Sequence, residues 1–208
     1  MKCKYVLFDF DGTIADTEKM AFYIYQKLSQ EYRLKKIEEQ DLHWVKNMSA
    51  SELIDYVELK KSKIPFVLKK AKRILRQEIS HVKPCKTNIV QVLRELKQER
   101  NIKLGIVTTN SRKNVETFLL QNNMDFFDII LSSSLLGKES KLKKALQKMG
   151  LQHDEVLYVG DEIRDIQAAK SLDIRIVSVT WGYNSPESLR QQQPDYLIDE
   201  FDDLLKIC

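Results

Sequence analysis

Two aspartates, Asp9 and Asp11, stand one residue apart at the end of an apolar run in YVLFDFDGTIADTEK, residues 5–19. Like charges this close repel, so the rest of the chain must supply something that offsets them. Other apolar runs also end in polar groups. Thr108, Thr109 and Asn110 close KLGIVTTN; Gly137 and Lys138 follow DIILSS; Gly160, Asp161 and Glu162 close EVLYVGDE, with Asp165 one helical turn beyond Asp161. Clustered carboxylates without Cys or His suit a hard cation with oxygen ligands, and Mg2+ is the natural choice, held by Asp9, Asp161 and Asp165. A carboxylate can itself be a nucleophile and form an aspartyl-phosphate. A second acid two residues on points to the same side of an extended chain, where it can protonate a leaving oxygen and then activate water. Thr108 and the N–H groups after it can hold phosphate oxygens, and Lys138 can offset charge on nucleophile and phosphate. Each fragment also has a plainer reading: an Asx turn, a helix N-cap, a solvated lysine, acids favoured by a helix dipole. Their conjunction at four strand ends is what favours a site.

The elements that must position these groups follow from periodicity. YVLFDF reads as a short buried strand closed by a Gly turn. From residue 14 to about 82, strand signals vanish and helical spacing takes over. TEKMAFYIYQKLSQEY sets Met20, Ile24 and Leu28 near one face. SASELIDYVELKK opens with a Ser49/Glu52 capping-box pattern, and Pro65 suits the first turn of IPFVLKKAKRILRQEI. After Pro84 the chain alternates helix and strand: NIVQVLRELKQER, KLGIVTTN, SRKNVETFLLQNN, DIILSS, ESKLKKALQKMG with Gly150 as its C′ residue, EVLYVGDE, IRDIQAAKSL, RIVSVTWG, DYLID and EFDDLLKIC. Such alternation implies βαβ units and an α/β fold with a doubly wound parallel sheet. The expected organisation is a core over 1–14 and 83–208, with a small helical domain inserted over 15–82. The linkers near Ala15 and near Lys83–Pro84 are expected to be neighbours and to act as a hinge. Ligands in such sheets bind at the carboxyl ends of the strands, where the polar groups above fall.

The bulk numbers are those of an ordinary soluble globular chain: 208 residues, 43% hydrophobic and 31% charged. No run approaches the ~20 apolar residues of a membrane span, and the N-terminal run breaks at Asp9, too early for a secretory signal. Cys3, Cys85 and Cys208 show neither metal spacing nor a disulfide framework, so a reducing cytoplasm is expected. The net charge is +4, with lysine-rich stretches at 33–36, 60–63 and 69–73. These read as solvated helix faces; no aromatic-interleaved basic motif supports nucleic-acid binding.

In order and spacing, DFDGT (9–13), Thr108 after GIV, Lys138 and GDEIRD (160–165) resemble the four motifs of the haloacid dehalogenase superfamily. The branch resembled is that of phosphatases with a small helical cap after the first strand, the phosphoglycolate phosphatase and β-phosphoglucomutase-like group. The resemblance spans the whole chain. It implies Asp9 as nucleophile and Mg2+ ligand, Asp11 as general acid/base with its backbone carbonyl on the metal, and Asp161 as the third protein ligand. It implies Asp165 as a supporting acid at a metal-bound water, and Thr108 and Lys138 as the phosphate-binding pair, with Thr109 and Asn110 beside them. The third motif departs from the common Lys-Pro-x-Pro: this chain reads GKESK, which leaves Lys141 as a rival to Lys138.

The implied activity is hydrolysis of a small organic phosphate, the small cap leaning toward a small metabolite. Asp11 disfavours a dehalogenase. Ala21 and Ala50 stand where a sugar-phosphate mutase of this branch carries His and Arg, which disfavours that alternative. A non-catalytic phosphate- or partner-binding module has no need of the intact Asp9, Asp11, Asp161 and Asp165. Phosphoglycolate-like, sugar and nucleotide substrates remain open, as does monomer against homodimer. His43, Trp44, Lys46 and Asn47, in a turn before Ser49, are candidate specificity residues, though His43 and Trp44 equally suit plain packing. Trp181-Gly182-Tyr183 suits a rim loop.

Overall fold

The computed structural model describes residues 3–132 and 137–208. Each strand expected from the apolar runs forms: β1 (Tyr5–Phe8), β2 (Lys103–Thr108), β3 (Ile129–Ser132), β4 (Val156–Gly160), β5 (Arg175–Val179) and β6 (Tyr196–Ile198). Ser133, the last residue of the DIILSS stretch, lies outside the described residues. The strands make one parallel sheet in the order β3-β2-β1-β4-β5-β6. The chain moves outward one way from β1 through β2 to β3, then returns to begin β4 on the other side of β1. The carboxyl ends of β1 and β4 therefore flank the topological switch point.

Alternation along the strands divides the core between the two faces of the sheet. Val6, Phe8, Ile106 and Val159 join one buried cluster; Leu7, Val107, Tyr158 and Ile176 join the other. Burial on both faces is what a parallel sheet flanked by crossover helices requires. Each fully buried Val, Leu or Phe contributes about 1.5–3 kcal/mol, so the strand ends that carry the polar groups rest on a rigid base.

Four helices, α1 (Glu18–Tyr32), α2 (Leu42–Val45), α3 (Ala50–Tyr56) and α4 (Ile64–Glu78), follow β1. After them come α5 (Ile89–Arg94), α6 (Arg112–Gln121), α7 (Lys138–Met149), α8 (Ile163–Ser171), α9 (Pro186–Gln191) and α10 (Leu204–Ile207). Ser49 and Glu52 form the expected capping box, Pro65 lies in the first turn of α4, and Gly150 ends α7 with φ of 63°. The helix of residues 88–100 widens to π geometry over Glu95–Glu99. One local expectation fails: the turn placed before Ser49 contains α2, which carries His43 and Trp44. Helices α1 and α4 pack on each other through Ile24, Leu28 and Val67. The two ends of the α1–α4 segment meet: Ala15 bridges Pro84, Asp16 N–H donates to Lys83 O at 2.8 Å, and Cys85 N–H donates to Ile14 O at 2.9 Å.

Candidate active site

The parallel register brings the four strand ends to one place. Phe8 pairs with Val159 on one side and Ile106 on the other, so Asp9 emerges between the ends of β4 and β2. The Asp9 N–H donates to Val159 O at 2.8 Å, which fixes the backbone on which the carboxylate sits. Lys138, the first residue of α7, reaches across with its ammonium 2.6 Å from Asp9 Oδ2 and 2.9 Å from Asp165 Oδ1. Carboxylate oxygens of Asp9, Asp161 and Asp165 lie within 4.8 Å of one another, and all three residues are buried.

Asp11 faces the same space from the other side. Asn110 Nδ2 donates to its Oδ1 at 2.9 Å and to Oδ2 at 3.2 Å. Asn110 is itself held: its Oδ1 accepts from Ser111 N–H and from Asn114 Nδ2. Thr108 is fully buried, and its Oγ1 accepts from the Asn110 N–H at 2.9 Å, which curls the loop after β2. Thr109, Asn110 and Asp11 all line one cavity of about 500 Å³. The candidate residues are thus brought together: Asp9, Asp161, Asp165 and Lys138 in one buried cluster, Asp11 and Asn110 facing it, with Thr108 at the end of β2 and Thr109 just after it. Between the two lysines, it is Lys138 whose ammonium meets Asp9. Lys141 points inward too; it is 2% exposed, and its Nζ has no partner among the described residues.

The haloacid dehalogenase-like hydrolase family model matches residues 6–179, most of the chain and all four polar strand ends. The chain belongs to this family. This hydrolase is 29% identical over 203 residues to a phosphoglycolate phosphatase of Synechococcus elongatus, covering 97% of this chain and 95% of that one. It is 26% identical over 212 residues to the pyrophosphatase PpaX of Bacillus cereus, covering 100% and 97%. Among solved structures, a haloacid dehalogenase-like family hydrolase of Streptococcus pneumoniae superposes with a TM-score of 0.82 at 21% identity, covering 99% and 98% of the two chains. That likeness shows the same fold.

Electrostatics set the hydrolase's carboxyls apart. Burial raises the pKa of Asp9, opposed by Lys138 and reinforced by Asp165. Burial, then the charge of Asp9, pushes Asp11 up to about 7 against the pull of the Asn110 hydrogen bonds. Burial, with Glu162 and Asp165 adding, holds Asp161 well above the usual carboxylate range. Burial pulls Lys138 down, but Asp165 and Asp9 outweigh it and hold the ammonium above the ordinary lysine range. Burial and the neighbouring Lys138 push Lys141 down to about 8. The buried carboxylate oxygens of Asp9, Asp161 and Asp165, gathered within 4.8 Å, form a donor set fitted to a dication of oxygen preference, which would offset the charge that burial penalises on Asp9 and Asp161.

Several contributors were not legible as site residues. The Thr13 hydroxyl donates to Asp161 Oδ1 at 2.7 Å, and Tyr183 N–H donates to Asp161 Oδ2 at 2.8 Å. Tyr158 OH donates to Asp165 Oδ1 at 3.1 Å. Lys72 of α4 crosses to donate to Thr109 O at 3.0 Å. Thr13 follows the two acids directly, the one available signal; the other contacts depend on distant returns of the chain. His43 is exposed and bonds Gln40 O, while Trp44 stacks edge-on against Tyr56; neither lines the cavity. Lys46 does line it, paired with Glu18 at 2.9 Å, and Asn47 bonds Ser185. Trp181 packs on Phe201 and donates from Nε1 to Thr13 O at 3.2 Å, so it braces the first turn.

Gly12 shows how little slack this turn has. Its φ is +78°, and a Cβ there would sit 2.2 Å from Asp161 Oδ2 and 2.7 Å from Tyr183 Cδ2. Asp161 cannot swing aside without losing Thr13 and the Tyr183 N–H. Gly12→Ala is expected to destabilise the fold by about 1–3 kcal/mol, read as a lowered denaturant midpoint. A midpoint equal to wild type would mean that Asp161 is free to move.

Proposed function

We propose that this hydrolase cleaves phosphomonoesters of small organic alcohols through an aspartyl-phosphate on Asp9, with Mg2+ as cofactor. The observation that carries the reading is the pairing of two unlike acids. Asp9 is buried against the Lys138 ammonium, while Asp11, two residues on, is held by Asn110 and titrates near neutrality. Relatives named phosphoglycolate phosphatase and pyrophosphatase support the same reaction class.

The carboxylates of Asp9 and Asp161 and the backbone carbonyl of Asp11 would hold the metal, with Asp165 supporting them. When bound, Mg2+ supplies charge stabilisation for the transferring phosphoryl group. The ester's phosphate lies between Asp9, Thr108 and Lys138. An Asp9 oxygen attacks phosphorus, and the bond from phosphorus to the alcohol oxygen breaks. Protonated Asp11 gives that oxygen its proton, so the alcohol leaves neutral. Asp11, now a carboxylate, takes a proton from water as the water oxygen attacks phosphorus. The bond to Asp9 breaks, inorganic phosphate leaves, and Asp11 is protonated again. Lys138 stabilises the phosphoryl oxygens throughout. Lys141, buried with no partner for its Nζ among the described residues, would be offset by the charge of the bound phosphate.

Residues 15–82 would act as a cap over a core of 1–14 and 83–208, hinged at the paired Ala15 and Pro84 segments. Lys72 on Thr109, and Asn184 Nδ2 on the carbonyls of Lys46 and Met48, support closure of that cap on the core. The direct test is phosphate release from a panel of phosphomonoesters with Mg2+. Release that EDTA stops and added Mg2+ restores is expected; isomerisation of a sugar phosphate without net release would replace this reading with a mutase.

A further inference from the structure

The cavity that Asp11 lines reaches from the edge of the buried Asp9 cluster into the helical segment. Its volume, about 500 Å³, lies in the range of small-molecule sites. Its core end carries Asp11, Thr109 and Asn110. Away from them the walls are apolar: Phe22, Ile24 and Leu28 of α1, Leu53 of α3, and Val67 and Leu75 of α4. Phe22, Leu53 and Leu75 are half-buried and border this space.

Most charged groups on the wall are already engaged, the buried Nε of Arg164 being an exception among the described residues. Lys46 pairs with Glu18, Arg164 with Glu162 at 2.5 Å, and Lys72 with Thr109 O. The polar ones are engaged too: Tyr183 OH with Thr17 Oγ1, Tyr25 OH with Lys35 O, and Asn184 with two backbone carbonyls. A sugar or a nucleotide would bury hydroxyls and ring nitrogens here with few free partners, a costly exchange. An alkyl or aryl body asks nothing of the wall except contact.

We infer that the alcohol half of the substrate is apolar, an alkyl or aryl group seated between α1, α3 and α4 with its phosphate on Asp9. The inference rests on the phosphomonoesterase reading and narrows it to amphiphilic esters.

The test is a homologous series of ethyl, butyl and hexyl phosphates, with glycerol phosphate as the polar comparison. kcat/KM is expected to rise along the series by up to about four-fold per methylene, the equivalent of burying one CH2. Hexyl phosphate should exceed glycerol phosphate at least ten-fold. Leu53→Trp of α3 and, independently, Ala71→Phe of α4 add bulk at two positions that line the cavity and should collapse the hexyl-to-ethyl ratio toward one. A flat series with phosphate released from every ester overturns the apolar assignment and leaves the hydrolase standing. Alkylphosphonates of the same lengths, titrated by calorimetry, read the cavity without turnover. Affinity that climbs with chain length supports the inference even if no ester is hydrolysed, an outcome that would sink only the hydrolase reading. Affinity independent of length overturns the inference.

Discussion

Asp9→Asn is expected to lower phosphate release by at least about four orders of magnitude while the protein stays folded. The amide nitrogen and carbonyl of asparagine cannot form the acyl phosphate, so the loss falls on the first chemical step and no neighbour can replace it. Asp11 is poorly placed to substitute, being tied to Asn110 through both carboxylate oxygens. The fold has less to lose. Lys138 keeps Asp165 at 2.9 Å as a partner, and the shape at position 9 is nearly unchanged. Circular dichroism and the thermal midpoint should therefore stay close to wild type. Intact-mass measurement of enzyme quenched in acid during turnover should find one added phosphoryl group on the wild type and none on the variant. Substantial activity in the variant would move the nucleophile elsewhere.

How much of this was legible in the sequence depends on the range of the interaction. The sheet was readable because each strand is a short apolar run stopped by polar residues, a local pattern that both-face burial enforces. That the candidate residues would gather was readable for the same reason: in a parallel sheet the strand ends share a rim. Inward-facing lysines were a different matter. Lys72 sits in KKAKR, where neighbouring lysines look alike and only packing decides which one turns inward; in KESKLKK the sequence left Lys138 and Lys141 as rivals, and both turn inward. Tyr183 reaches Asp161 through its backbone N–H, a contact that leaves no mark in residue type. The cavity was hidden for a related reason. The apolar stripes of α1 and α4 carry the same periodicity whether they close on each other or stand apart around a ligand. The short helix α2 was missed because four residues are too few to show a period.

Lys138→Met is the second large effect, and it couples catalysis to stability. The ammonium is buried between Asp9 and Asp165. Without it the phosphoryl oxygens lose their strongest donor, so kcat/KM should fall about 10²–10³-fold, with kcat reduced more than KM is raised. The acids also lose the cation that separates them. Removing one member of a buried ion pair costs about 3–5 kcal/mol when the remaining charge has no partner. Here the charge left on Asp9 can be neutralised by a proton, and that sets the pH dependence. Asp9 already holds its proton to higher pH in the folded state than the free side chain does, and losing Lys138 moves it further in that direction. A carboxyl whose folded pKa is raised binds more protons folded than unfolded, so stability falls as pH rises from the unfolded value, near 4, through the folded one. The deficit of the variant relative to wild type should accordingly be larger at pH 8 than at pH 5, measured as denaturant midpoints at both. Adding Mg2+ at pH 8 should recover part of the stability but not the activity, because a dication can screen the acids without reaching the phosphoryl oxygens from the side of α7. A deficit that is the same at both pH values would mean that Lys138 supports the fold through packing alone, and that the acids it touches carry no unbalanced charge.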